Sequence, residues 1–298
     1  MYYHFFMILY LFFNFLLIAT SFIINKFIAL SLKPYLFVFL RMGVSGIILI
    51  IFFCREKKTF LYLFNNIRTI ILIAFFTTFL TASLRAYALQ LITPTRIAFW
   101  GALEPFISSF CMYFLYKSKI TIWQFIGIIV AIIGTIFFIL TNNKIEIISR
   151  KACFFADFAQ ILSIFFSRYG WIKAQEIIRK NIFQPEQLNA FIFIISSIIA
   201  FFFNCLFGSG FSVKDFNLDY KLILMLFYTI IIGNIIAYSM YGYALKKYDV
   251  RVISIAGLSV PLFVHIIGVL FLNEAFSYSF FISIIFIFFG VYIFHKKE

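Results

Sequence analysis

The apolar residues of this chain come in long unbroken blocks and not in alternation. Ile120 to Leu140 carries no formal charge, and neither do Phe191 to Gly208 or Ser277 to Phe294. A helix needs about 20 residues to cross a hydrocarbon core of about 30 Å. Blocks of that length, without the two-residue period of a lipid-facing strand, predict helices and not a β-barrel. Ten spans are predicted, near 5–29, 34–53, 69–91, 94–116, 120–140, 153–173, 187–207, 221–244, 250–272 and 277–294. The expected fold class is therefore an all-α integral membrane protein of ten transmembrane helices. The longest polar connections, about 54–68, 141–152 and 208–220, are too short for a soluble domain.

Composition agrees. Hydrophobic residues make up 64% of the 298 and charged residues 12%, with a mean hydropathy of +1.05, too little charge to cover a soluble surface. The formal net charge of +14 does not point to nucleic acid, which needs a basic face on a soluble module. The Lys and Arg residues sit instead between apolar blocks, as topology signals do. With the N-terminus inside, fourteen fall in inner segments (Arg55, Lys57, Lys58, Arg68, Lys117, Lys119, Lys173, Arg179, Lys180, Lys246, Lys247, Arg251, Lys296, Lys297). Seven fall in outer ones (Lys33, Arg96, Lys144, Arg150, Lys151, Lys214, Lys221) and four within spans (Lys26, Arg41, Arg85, Arg168). That bias predicts both termini in the cytoplasm. The N-terminal block lacks a basic n-region and a small-residue cleavage site, so it is expected to be a retained span. Four scattered cysteines and three histidines give no zinc or disulfide framework. No cofactor is expected. The wealth of Phe, Ile, Lys, Asn and Tyr suggests an AT-rich genome of the kind common among host-dependent bacteria, and so a bacterial inner membrane.

A repeat organises the chain. A shift of 156 residues lays Tyr87-Ala88-Leu89 on Tyr243-Ala244-Leu245, Gly101 on Gly257, Pro105 on Pro261 and Gly134 on Gly290. Two halves follow, 1–141 and 142–298, each with five expected spans. An odd number of spans reverses the chain's direction, so the second copy is expected to sit inverted. Inverted repeats are a transporter architecture with the substrate held between the copies near mid-membrane.

Those anchors also carry a resemblance. The second half reads Tyr241-Gly242-Tyr243-Ala244-Leu245-Lys246-Lys247, then Pro261, Leu272-Asn273-Glu274 and Gly290. The first half has Lys26, Arg41, Tyr87-Ala88-Leu89, Pro105, Gly127 and Gly134. In this order and spacing the chain resembles the drug/metabolite transporter superfamily in its EamA-type branch over nearly its whole length. In spans 4 and 9 it is similar to carriers of S-adenosylmethionine. One departure stands out: Glu274 maps onto Ser118, so the acid that relatives often place after span 4 is missing. The resemblance implies ten helices, a central cavity and secondary transport of metabolites.

Charges inside a bilayer are costly and are functional candidates by default. Glu104 lies ten residues after Pro94, about 15 Å deep at 1.5 Å per residue. Arg96, Trp100, Glu104 and Ser108 step by four, which places them on one helical stripe. The shifted stripe in span 9 is Val252, Ala256, Val260 and Val264, so the polar stripe belongs to one repeat alone. Its bland alternative is an ion pair from Glu104, most simply to Arg85. Arg41 and Arg85 lie in the outer halves of spans 2 and 3. Tyr87, Tyr241 and Tyr243, near the repeat anchors, are expected to face the cavity. Lys26 and Arg168 are expected near span ends, reaching the interface, and Asp157 near the start of span 6. His265 is a proton-linked candidate.

No P-loop, nucleophile elbow, HExxH or GxGxxG is present, so no enzymatic activity is expected. The reading is a carrier of a small amphoteric or cationic metabolite, amino-acid-like or S-adenosylmethionine-like, in the lipid bilayer. Glu104 would hold its cationic group, Trp100 would stack on that group, and Arg41 or Arg85 would meet a carboxylate. The alternatives are a proton-coupled drug or metabolite exporter and a non-transporting scaffold, which would bury Glu104 and Arg85 as a closed, dry pair. Oligomeric state is not legible.

Overall fold

A computed structural model describes residues 2–117, 121–141, 150–207, 219–272 and 277–294. All regular structure among these residues is helical. The helices are α1 (Tyr2–Ser31), α2 (Pro34–Phe53), α3 (Lys57–Asn65), α4 (Ile67–Leu91), α5 (Pro94–Gly101), α6 (Glu104–Tyr116) and α7 (Ile122–Thr141). They continue with α8 (Arg150–Arg179), α9 (Pro185–Phe207), α10 (Tyr220–Lys247), α11 (Val250–Ala256), α12 (Ser259–Leu272) and α13 (Tyr278–Phe294). Seven helical runs among the described residues are long and apolar enough to cross a bilayer, and the bent pair α5 and α6 makes an eighth when taken as one span. Helices α8 and α13 occupy the places of the expected sixth and tenth spans. The first carries several charges and the second is only 17 residues long. Helix α3 lies where a plain connection was expected.

The interior is more polar than the exterior. Asn14, Arg41, Ser45, Thr78, Arg168, Asn189 and Asn234 are buried, whereas Ile47, Phe52, Phe114, Leu206, Phe271 and Ile285 face outward. In water this would waste the hydrophobic effect; in lipid tails the outward apolar side chains cost nothing, and packing and hydrogen bonds hold the helices together.

Both halves repeat the same local devices. Pro105 has no N–H to donate to Gly101, and Pro261 none for Gly257, so each helix breaks there. The chain passes the first break through tight turns, Ala102 N–H to Phe99 O and Leu103 N–H to Trp100 O, both 3.0 Å. It passes the second through Leu258 N–H to Ile255 O and Val260 N–H to Gly257 O, also 3.0 Å. The first break bends the pair by 43°. Wide π-turns interrupt α4 over Ala74–Leu80 and α10 over Thr229–Ala237, equivalent places under the 156-residue shift. Helix α2 packs on α9, and α7 on α13, so each packs on its own counterpart. At the second crossing a Cβ on Gly127 would fall on the Gly290 carbonyl, and one on Gly134 would lie 2.9 Å from the Ser283 carbonyl. The shift exchanges these two contacts, as a twofold axis through the crossing requires.

Capping is mirrored as well. Lys26 Nζ donates to the Leu89 and Ile92 carbonyls at 2.6 and 3.1 Å. Gln175 Nε2 donates to Leu245 and Tyr248, the shifted positions, at 2.9 and 2.6 Å. Lys26 was expected to reach the interface; it closes the end of α4 instead, satisfying carbonyls that a helix terminus leaves open.

Candidate functional site

The breaks at Gly101 and Gly257 face each other across a cavity of about 90 Å³. Its polar lining includes Thr81, Arg85, Glu104, Gln160, Ser167, Arg168, Tyr238 and Tyr241, and its apolar lining includes Phe15, Phe22, Trp171 and Val260. Gly101 has open space where a Cβ would stand. Helix α8 supplies Gln160, Ser167, Arg168 and Trp171, spaced to fall on one helical face.

Glu104, at the first turn of α6, pairs with Arg168 at 3.3 Å, and the two side chains are 20% and 5% exposed. Arg168 also donates to the Tyr241 hydroxyl at 2.8 Å and to Ser254 Oγ at 3.3 Å, and Ser254 meets Ser108 at 2.9 Å. The expected partner of Glu104, Arg85, is not the one it takes. The expected place of Arg168 near a span end follows from a sixth apolar block that ends near residue 173. The helix runs on to Arg179, which sets Arg168 about 16 Å from its end at 1.5 Å per residue, deep in the fold.

The continuous stripe is also corrected. The break before Glu104 divides it: Arg96 and Trp100 turn to one residue of α8, Glu104 to another, and Ser108 to Ser254 on α11. Arg96 donates to Asp157 at 2.9 Å and pairs with it at 2.5 Å, and Trp100 Nε1 donates to the same carboxylate at 2.6 Å. Trp100 is thus engaged by Asp157 and does not line the cavity. Asp157, expected at the interface, is the acid of this buried cluster. Its spacing from Gln160 and Arg168, all on one face of span 6, was the available signal.

Arg85 lines the cavity with its Nε buried and unbonded, and among the described residues its guanidinium has no hydrogen-bond or ion-pair partner. It lies 4.9 Å from the centre of the Phe22 ring. Arg41 lines an adjoining chamber of about 50 Å³ that shares Ile18, Phe22, Thr81, Arg85 and Tyr238 with the larger one. Arg41 Nε and an Nη donate to Asn234 Oδ1 at 2.8 and 2.6 Å.

Tyr241 is in the cavity wall as expected. Tyr87 and Tyr243 are not: they are 41% and 39% exposed, line neither chamber, and Tyr243 donates to Glu186 at 3.1 Å. Both sit at mirrored positions on the outward side of their helices, which the shared motif could not reveal. His265 stacks on Phe280, ring centres 3.9 Å apart. Among the described residues no cluster of His, Cys, Asp or Glu could hold a metal. Glu274 and Ser118 lie outside the described residues.

The chain matches the EamA-like transporter family over residues 5–140 and 154–295. No curated relative matches it. A solved crystal structure, described only as that of a protein, shares 14% identity with a TM-score of 0.68, covering 95% of this chain and 94% of that one. At that identity the likeness is one of fold.

Proposed function

Because the chain belongs to the EamA-like transporter family, we propose that it is a secondary carrier working by alternating access. In this reading ten helices form two inverted repeats, 1–141 and 142–298, in a bacterial inner membrane with both termini cytoplasmic. The mirrored breaks, π-turns, caps and self-paired crossings support the inverted repeat, and the basic-residue bias supports the orientation. The cargo is a small amphoteric metabolite. Its carboxylate meets Arg85, and its amino group meets Glu104 beside the aromatic wall of Trp171, Tyr238 and Tyr241. The observation that carries this is Arg85: a guanidinium at a cavity wall between the halves, with no hydrogen-bond or ion-pair partner among the described residues, the Glu104 carboxylate of the same wall acting on it only through space. A charge half withdrawn from water, with its Nε buried, is retained at a cost when something else pairs with it. A scaffold would favour Glu104 and Arg85 in one closed pair, and that is not their arrangement.

Size narrows the cargo. One water takes about 10–15 Å³ by the same measure, so the two chambers together hold about ten waters. That fits an amino-acid-like solute. An S-adenosylmethionine-like one would need the halves to open further. Two clusters are suited to alternate as closures in the proposed orientation, Arg96, Trp100 and Asp157 towards the outside and Arg168, Glu104, Ser254 and Ser108 towards the inside.

The test is uptake into proteoliposomes from a panel of labelled amino-acid-like metabolites. One or more should accumulate, and Arg85→Gln should abolish that uptake while the variant inserts and melts normally. An Arg85→Gln protein transporting at the wild-type rate would overturn the assignment.

A further inference from the structure

The smaller chamber has a different electrostatic character from the larger. The larger one sets Glu104 against Arg168 and Arg85. The smaller has two guanidiniums in its wall, Arg41 and the shared Arg85, and no carboxylate among its lining residues. Arg41 is held by neutral groups alone, Asn234 Oδ1 and, at 3.4 Å, Asn25 Oδ1. Those contacts orient the guanidinium without neutralising it.

The free hydrogen-bonding capacity of the wall is donor-rich. Asn25 turns its oxygen to Arg41, so its Nδ2 is left over, and it makes no hydrogen bond among the described residues. Nor does the Tyr238 hydroxyl, and all the N–H groups of Arg85 are without partners there. A guanidinium has five N–H donors and no acceptor, so the acceptors Asn234 and Asn25 leave part of Arg41 unused as well. Hydroxyls that could compete are committed: Thr81 donates to the Phe76 and Ser163 carbonyls and Ser21 to the Leu17 carbonyl. The Phe22 and Phe37 rings, 4.9 and 5.6 Å from the two guanidinium carbons, offset the desolvation of these cations only in part. Two charges and several N–H and O–H groups thus converge on a space of about 50 Å³, room for about four waters. That is the size of one compact oxyanion, and planar N–H forks suit carboxylate and phosphate oxygens.

We propose that this chamber is an oxyanion site, formed by Arg41, Arg85, Asn25 and Tyr238, that binds a carboxylate or phosphate group. The inference rests on the carrier reading for its biological sense and extends it. The anionic end of the cargo passes beyond Arg85 into a pocket with two positive charges, or a free oxyanion binds there beside the cargo. Two guanidiniums in one small chamber, of which only Arg85 also feels Glu104, favour a dianionic phosphate over a monoanionic carboxylate.

The probes are sodium phosphate and sodium formate, titrated into the purified full chain in detergent at constant ionic strength, with thermal melting as the readout. The wild type should be stabilised saturably, with phosphate acting at a lower concentration than formate. Asn25→Asp is nearly isosteric and puts a carboxylate beside Arg41. It should raise the concentration for half-maximal stabilisation tenfold or more. Arg85→Gln removes the unbonded cation and should do the same, so the result does not hang on one variant folding. Subtracting the Asn25→Asp curve removes the general effect of phosphate on folding, and Tyr243→Phe, outside both chambers, should follow the wild type. A wild type that shows no saturable response, or an Asn25→Asp protein that responds as the wild type does, overturns the proposal.

Uptake then separates the two sources. Competitive inhibition by phosphate assigns the chamber to the anionic end of the cargo, and stimulation assigns it to a free oxyanion. If anions stabilise the protein as expected while no amphoteric metabolite is transported, the oxyanion site stands and the cargo assignment fails.

Discussion

Replacing Glu104 by Gln keeps the side chain's length and removes the charge that Arg168 faces at 3.3 Å. Arg168 is 4% exposed and retains only neutral partners, Tyr241, Ser254 and Ser167. Removing one member of a buried pair costs about 3–5 kcal/mol, because the other charge is left without compensation. Glu104 has a fifth of its side chain open, and water in the cavity can solvate what remains, so the lower end, about 3 kcal/mol, is expected. In a large chain each kcal/mol moves the melting temperature by about 2 °C, which gives a fall of about 6 °C for Glu104→Gln without cargo. Arg168→Gln should cost less, because the remaining carboxylate is the more exposed partner. The double variant should recover part of the loss, with a coupling of about 0.5–3 kcal/mol in the cycle. The assay is melting in detergent of the wild type, both single variants and the double, with and without a transported solute. Cargo should no longer stabilise Glu104→Gln if that carboxylate also meets its amino group. A single variant melting within about 1 °C of the wild type, with no coupling in the cycle, would refute the pairing argument.

Arg85→Gln should behave in the opposite way. It removes a half-buried cation that has no hydrogen-bond or ion-pair partner among the described residues, so the cargo-free protein should melt at the wild-type temperature or slightly above while uptake is lost; a clear drop in melting would mean that Arg85 is structural. Gly127→Ala puts a methyl group on the Gly290 carbonyl and 2.8 Å from the Phe294 nitrogen. Overpacking of this kind costs about 1–3 kcal/mol, readable as a melting shift of about 2–6 °C, and a variant as stable as the wild type would show that the crossing has slack. A reporter active only outside the cytoplasm, fused to the C-terminus, should give no signal, since fourteen basic residues fall on the proposed inner side and seven on the outer; strong activity would reverse the orientation.

Much of the architecture was legible because a bilayer leaves a chain few options. Backbone groups in lipid must bond within their own helix, so the apolar blocks marked helices directly. Pro105 and Pro261 marked the breaks, since a missing N–H acts wherever it stands. The recurrence of Tyr-Ala-Leu, Gly and Pro at one offset marked two equivalent halves. Glu104 and Arg85 stood out by their depth within spans, Arg41 also by its match to the family's pattern and Tyr241 by its place beside a repeat anchor; all four line the chambers.

Pairing was decided only in three dimensions. Which cation answers Glu104 depends on how far α8 extends and how it rotates, and residues 64 positions apart in the chain leave no local trace of their contact. Trp100 and Glu104 share a stripe on an unbroken helix, but the break sends one to Asp157 and the other to Arg168. Tyr87 and Tyr243 share a motif with the cavity anchors yet face outward, because a motif fixes the order of residues and not the side of the helix that meets a neighbour. Lys26 and Gln175 differ in charge and carry no common signature, yet they close equivalent helix ends. The lack of an acid among the described residues that line the smaller chamber is a property of the packed interior, where its walls come from α1, α2, α4 and α10. The sequence sets the charges and the lengths that bury them; tertiary packing decides which charges are left without a partner.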